Sequence, residues 1–292
     1  MSYFLRRLLA NLWQVAAVSV ISFYLFSIAP GDFYSAEQFN PQRSANYLDQ
    51  LRLESGLKDS WPRRYLQWTK SCLQADCGTS LAYGVDVVRL LSPRFTKTMI
   101  ITIPGLLLAW IVGLTLALAR LRRPLTPFAA SAAMMPDLIS IALLLWGAVY
   151  LGLPITGVWL PVVGMVFALT PIVFLHSANG LESARELPFV RLAQQRGIKG
   201  LSLWMRYILP AAASPLISLA GLSFTAAIGT SLLVEVMTGW PGLGPLFLES
   251  VQTRDYPVVQ TTVVFLAILL AFSNLLADLA LNWIDPRIRV QQ

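Results

Sequence analysis

The sequence predicts an all-α protein embedded in a membrane, and two observations carry that reading. Hydrophobic residues make up 56% of the chain and charged residues only 13%, against about a quarter charged in a soluble globule. The apolar residues are also gathered into runs of about twenty, the length that crosses ~30 Å of hydrocarbon as a helix. Lipid offers no partner to an open backbone, so such runs are read as helices. The 292 residues therefore form one polytopic membrane domain.

Six spans are expected, over residues 8–29, 98–119, 128–151, 158–176, 211–234 and 258–283. They divide the chain into a first span (1–29), an external cap (30–97), a five-span core (98–283) holding a polar cytoplasmic loop at 177–210, and a cytoplasmic tail (284–292). The first run is too long for a cleaved signal peptide and has no small-residue cleavage site. Orientation follows from the short loops. One side carries 12 Lys and Arg, from Arg6 and Arg7 through Arg120, Arg191 and Arg206 to Arg287 and Arg289, while the short loops opposite hold only Arg254. Positive charge marks the cytoplasmic side, so both termini are expected there. This asymmetry accounts for the net charge of +7. The basic residues are scattered over four loops rather than gathered on one face, so no nucleic-acid partner is expected.

The cap opens at Pro30-Gly31-Asp32, which breaks the first helix. Helix is expected over 48–57, and again from Trp61-Pro62 through Tyr65 and Trp68, followed by a turn at Asp76-Cys77-Gly78-Thr79-Ser80. The segment is aromatic rather than Gly/Ser-rich, which fits a structured cap better than a flexible linker. Cys72 and Cys77 lie on a face expected to be oxidising, where they either pair or remain free thiols. No metal site is expected, because two cysteines without a nearby histidine are a poor zinc set.

Within the spans, Met135-Pro136-Asp137 interrupts an apolar run. Asp137 either lines a translocation cavity or caps the first turn of a helix beginning near Pro136. His176, the single histidine, is expected at the interface where the fourth span ends. Asn274 and Asp278, one turn apart, are expected to make an interhelical polar contact. Gly239-Trp240-Pro241-Gly242-Leu243-Gly244-Pro245 demands an irregular backbone. A short interfacial helix should follow, with Pro245 at its first position and Leu246, Phe247, Leu248 and Val251 on its apolar face. It forms part of an outer gate or merely connects two spans.

The loop at 177–210 is polar and helix-prone on the basic side, which suits it to docking a soluble partner. The chain lacks the glycine-rich loop ending in lysine and a hydroxyl residue that cradles nucleotide phosphates. Energy for any ATP-driven step must then come from another subunit.

Four blocks, in order along nearly the whole chain, carry a family resemblance. They are Arg6-Arg7-Leu8-Leu9 with Ala29-Pro30-Gly31-Asp32; Gly56-Leu57, Tyr65, Trp68 and Asp76 with Gly78-Thr79-Ser80; and Val190-Arg191, Ala193 and Gly197. The fourth runs from Glu235 and Trp240-Pro241-Gly242-Leu243-Gly244 through Arg254-Asp255-Tyr256-Pro257-Val258-Val259-Gln260 to Asn274-Leu275, Asp278 and Asp285-Pro286-Arg287-Ile288-Arg289. On these residues the chain resembles the permease subunits of bacterial ATP-binding-cassette importers of the dipeptide, oligopeptide and nickel group. The resemblance implies the six-span type I importer permease fold in the bacterial inner membrane. It implies a coupling helix over Phe189, Val190, Arg191, Ala193 and Gly197 that docks on an ATPase. Arg191 stands where the general pattern has an acid, and Pro188 is unusual just before the aromatic residue. An outer gate or external loop would include Glu235, Trp240, Pro241, Gly242 and Gly244, and the pathway polar residues would be Asp137, Asn274 and Asp278. Implied partners are a second homologous permease, two cytoplasmic ATPases holding ATP and Mg, an external substrate-binding protein, and membrane lipid. The implied cargo is peptide, with nickel or another small solute as the alternative. A different class, an ion-coupled secondary transporter or channel, would need intramembrane charge, for which only Asp137 and Asp278 are candidates. A membrane enzyme would need converging nucleophiles, bases or metal ligands, which the sequence does not supply.

Overall fold

The structure, a computed structural model, describes residues 3–35, 45–54, 59–119 and 122–284. Gly56-Leu57, Arg120, Asp285-Pro286-Arg287-Ile288-Arg289 and the rest of the tail lie outside the described residues. Within them, regular structure is helical apart from one isolated antiparallel bridge, Thr79 to Asp86. The helices are α1 (Tyr3–Ile28), α2 (Ala45–Glu54), α3 (Trp61–Cys72), α4 (Val87–Leu118), α5 (Arg122–Met134), α6 (Asp137–Tyr150), α7 (Trp159–Glu186), α8 (Pro188–Gln195), α9 (Gly200–Leu203), α10 (Leu209–Thr238), α11 (Leu243–Thr253) and α12 (Tyr256–Ile284). A π-helical turn, Trp204–Ile208, joins α9 to α10. It directly precedes Leu209-Pro210, where the proline has no N–H to offer the preceding turn.

Among the described residues, five helical segments are long and apolar enough to cross a membrane: Leu5–Ser35, Val87–Leu118, Trp159–Glu186, Gly200–Thr238 and Tyr256–Asn282. The third expected span differs from its prediction over 128–151. It is split into α5 and α6 by Met135 and Pro136, with Pro136 extended at φ −56° and ψ 137°. The residue before a proline is pushed out of helical geometry, which ends α5. The 14 residues of α6 rise only ~21 Å, short of the ~30 Å hydrocarbon thickness.

Two other boundaries move. The second span begins at Val87 rather than residue 98, with Pro93 inside the helix. The fourth continues as helix through the polar residues to Glu186, so the first part of the expected loop is not a loop. His176 is therefore an exposed residue within α7 rather than at its end.

The chain forms two compact units, each assembled from segments distant in sequence. The first comprises Met1–Leu8, Thr98–Trp240 and Phe272–Gln292, and the second Leu9–Lys97 and Pro241–Ala271. In the first unit α7 packs along α10, and both contact α6. Buried positions of α7 recur every three or four residues in two stretches, Leu160, Gly164 and Ala168, then Ser177, Leu181 and Ala184. That period and those small side chains let helices approach closely without a hydrophobic driving force between them. The second unit holds the cap helices, the bodies of α1 and α12, and α11.

Candidate functional site

The best-defined surface feature of the first unit is α8. Pro188 occupies its first turn, and Leu187 before it is extended at φ −60° and ψ 140°. That break turns the chain out of α7 and starts a separate helix. At its other end Gly197 is left-handed, with φ 83°. The Gly197 N–H donates to the Gln194 carbonyl at 3.0 Å and the Ile198 N–H to the Ala193 carbonyl at 3.1 Å. These two bonds make a glycine-based helix stop. The left-handed backbone accounts for glycine at 197.

One side of α8 is anchored. Val190 is 0% exposed and Ala193 4%, in a buried cluster with Phe174, Leu181, Leu203 and Ile208. The other side is open: Phe189 is 47% and Leu192 48% exposed, beside exposed Arg191, Gln195 and Arg196. Nearby, the Arg185 guanidinium lies 5.5 Å from the Trp204 ring centroid, a cation–π contact tying the end of α7 to the π turn. Arg191 faces outward, so the missing acid of the general pattern leaves no gap in the packing.

The polar residues within the spans are held by neighbours. Asp137 opens α6, where the N-terminal dipole favours a carboxylate, and accepts a hydrogen bond from Thr230 Oγ1 of α10 at 2.6 Å. Thr225 Oγ1 lies 3.5 Å from Asn274 Oδ1, linking α10 to α12. Asp278 pairs with Arg7 at 3.3 Å. Sequence reasoning found all three residues but not their partners, because a lone threonine or terminal arginine carries no spacing signal.

Glu235 is fully buried near the end of α10. Gly239 ends that helix in the left-handed region at φ 69°, and the Trp240 N–H returns to the Glu235 carbonyl at 2.9 Å. Trp240 packs on the cluster of Ile101, Met165 and Val234. Within the other unit, α11 starts at Leu243, so Pro245 is its third residue rather than its first. Gly242 precedes the helix in extended geometry, and Gly244 is buried. Pro241 is exposed. Of the expected apolar face Leu246 is buried, together with Leu243, while Leu248 and Val251 are exposed.

In the second unit, segments more than two hundred residues apart converge. Tyr256 donates its hydroxyl to the Gly31 carbonyl at 2.8 Å. Gly31 is left-handed at φ 82°, and a Cβ there would meet the Arg254 guanidinium. Asp255 is fully buried; it accepts the Ser80 hydroxyl at 2.5 Å and the Ala82 N–H at 3.1 Å. Gln260 donates to the Ser19 carbonyl and accepts from Ser22, both at 3.0 Å, strapping α12 to α1. Asp32 holds Arg52 at 2.7 Å. Cys72 and Cys77 are joined by a disulfide closing the end of α3, with Cα atoms 4.2 Å apart. Among the described residues, no three of His, Cys, Asp or Glu gather as a metal set.

Asp255→Ala is expected to lower the stability of this unit by about 1–3 kcal/mol, because the buried Ser80 hydroxyl loses its acceptor and the Ala82 N–H loses a partner. Asp255→Asn should cost less, since the amide oxygen still accepts. Intrinsic-fluorescence melting of the purified protein in detergent ranks the two variants.

Long apolar helices, an irregular connection at their ends and a small amphipathic helix seated on the bundle mark a multi-pass membrane protein. The comparisons place it more narrowly. Residues 105–290 match the family described as binding-protein-dependent transport system inner membrane component, and the chain belongs to that family. A probable peptide ABC transporter permease of Sinorhizobium fredii is 29% identical, covering 98% of this chain and 99% of its own length. The oligopeptide transport system permease AppB of Bacillus subtilis is 28% identical over 98% and 99% of the two chains. A glutathione transport system permease, GsiC of Pectobacterium atrosepticum, is 27% identical over 99% of each. A chain of the MetNI methionine ABC transporter, solved in inward-facing conformations, shares the fold. Its TM-score is 0.59 at 18% identity, over 68% of this chain and 97% of that one. The protein is thus an ABC-transporter permease, a transport component.

Proposed function

We propose that this chain forms one half of the translocation pathway of a peptide importer in the bacterial inner membrane. The observation that carries the coupling role is α8. It is anchored by Val190 and Ala193 and presents Phe189 and Leu192 outward. An apolar, arginine-flanked ridge on a rigid seat suits a cleft on a soluble subunit. In this reading α8 docks on a cytoplasmic ATPase, and nucleotide-driven closure of two such ATPases moves α7 and α10 through it. ATP and Mg belong to those partners.

A second, homologous permease completes the pathway, and an external binding protein delivers the cargo. Peptide is the favoured cargo because the relatives named above are peptide, oligopeptide and glutathione permeases. Nickel is the alternative. Both termini face the cytoplasm on the distribution of positive charge. The ion-coupled reading loses ground, because Asp278 is paired with Arg7 and Asp137 is bound by Thr230.

Affinity purification of the chain from its native membrane, followed by mass spectrometry, tests the proposal. Recovery of a second permease and two ATPases is the expected result. A stable, folded chain recovered alone would refute the coupling role of α8.

A further inference from the structure

The second unit contains two adjoining pockets that the transport reading leaves unused. The first, about 260 Å³, lies where α1 ends and α12 begins, and is lined by Phe23, Arg64, Trp68 and Tyr256 among others. The second, about 300 Å³, is walled by Leu91 and Phe95 of α4 and by Val264, Phe265 and Ile268 of α12. The two share Trp68 and Cys77, so a polar-headed chamber opens beside an apolar one.

Arg64 makes the first chamber unusual. Its guanidinium carbon stands 5.7 Å from the Phe23 ring centroid and 5.9 Å from that of Tyr256. Among the described residues no carboxylate forms an ion pair with it. Asp59 pairs with Arg63 instead, at 3.8 Å. Asp76, which also lines the chamber, accepts the Gly78 N–H at 3.1 Å. Burial pushes the Arg64 guanidinium below its ordinary value, yet arginine stays charged at neutral pH. A partly buried cation packed on two ring faces, with Asp59 acting on it only from beyond ion-pair distance, is incompletely neutralised, and an anion would complete it.

The surroundings identify the anion. The chamber sits at the end of two membrane-spanning helices, which is headgroup depth, and Trp61, Tyr65 and Trp68 of α3 provide the aromatic belt typical of that level. The neighbouring chamber has the lining of an acyl-chain slot. Basic pockets beside spans recognise lipid headgroups by the same chemistry. We propose that the two chambers form one site for an anionic phospholipid, with its phosphate on Arg64 and one acyl chain against Phe95 and Phe265.

Native mass spectrometry of the purified full-length protein in detergent tests this directly. Phosphatidylglycerol and phosphatidylcholine are each titrated separately, and inorganic phosphate and a dipeptide are then added as competitors to the lipid-bound protein. Phosphatidylglycerol is expected to bind the wild type, and Arg64→Gln to weaken it about tenfold through loss of the charge-assisted contact. Arg64→Lys should retain part of the affinity. Val264→Trp, which fills the apolar chamber and leaves the charge in place, should also displace the lipid. Equal phosphatidylglycerol binding by wild type and Arg64→Gln overturns the proposal. So does phosphatidylcholine binding as tightly as phosphatidylglycerol. Phosphate or the dipeptide displacing the lipid would reassign the chamber to a soluble anion. A partner subunit that excludes phosphatidylglycerol from the intact complex would reassign it to a protein interface.

Discussion

Replacing Phe189 and Leu192 together by aspartate is expected to leave the protein folded in the membrane and, on the proposed coupling role of α8, to abolish recovery of ATPase subunits with it. Both side chains are about half exposed, at 47% and 48%, and neither contributes to the buried cluster beneath α8. The double substitution therefore spares the anchor while placing two charges where an apolar ridge would enter a cleft. An apolar anchor at the centre of an interface contributes about 2 kcal/mol or more, so losing both is expected to weaken association at least a hundredfold. Val190→Asp should behave differently. It puts a charge at a position that is 0% exposed and should unseat α8 itself, lowering melting temperature as well as ATPase recovery. A folded double variant that still recovers its ATPases would place the docking surface elsewhere.

Gly105→Ala is expected to destabilise the protein by about 1–3 kcal/mol, the usual cost of overpacking. Gly147→Ala should be neutral or stabilising by about 0.5–1 kcal/mol, the helix preference for alanine. A Cβ at Gly105 would stand 2.5 Å from the Met165 Cβ, an atom with no freedom to swing aside. The same helix meets α7 again at Gly113, where a Cβ would lie 2.8 Å from Val173 Cγ1 and 3.1 Å from the Phe174 backbone nitrogen. These two glycines let α4 and α7 touch. Around Gly147 nothing lies within 4 Å of the added carbon. The two variants carry the same chemical change into different surroundings, so melting temperatures of opposite shift test the packing rather than the chemistry. Equal shifts would contradict the close approach of α4 to α7.

The helix of the proposed coupling segment was expected from the family resemblance, and local signals agree with it. A proline start, an apolar pair at helical spacing and a glycine stop all act within ten residues, and the helix appears where they place it. The bounds 128–151 of the third span follow the apolar run, while the alternative of a helix beginning near Pro136 is the one the structure shows, because Pro136 interrupts the backbone ladder. Thr230 and Arg64 were not legible as partners or sites. The first binds Asp137 across 93 residues, and the second is marked by its place between the Phe23 and Tyr256 rings without an ion pair among the described residues, which only three-dimensional packing reveals.

By itself, the sequence determined that this is a helical membrane protein, where most of its spans run and which family its motifs resemble. Those properties follow from the length of apolar runs and from signals acting over one or two turns. Only the tertiary structure decided what the motif residues touch. Asp255 serves Ser80 and Ala82, Gln260 straps α12 to α1, and Tyr256 closes on Gly31. A buried polar group must find a partner, but nothing in its own neighbourhood of the chain says which distant backbone or side chain will satisfy it.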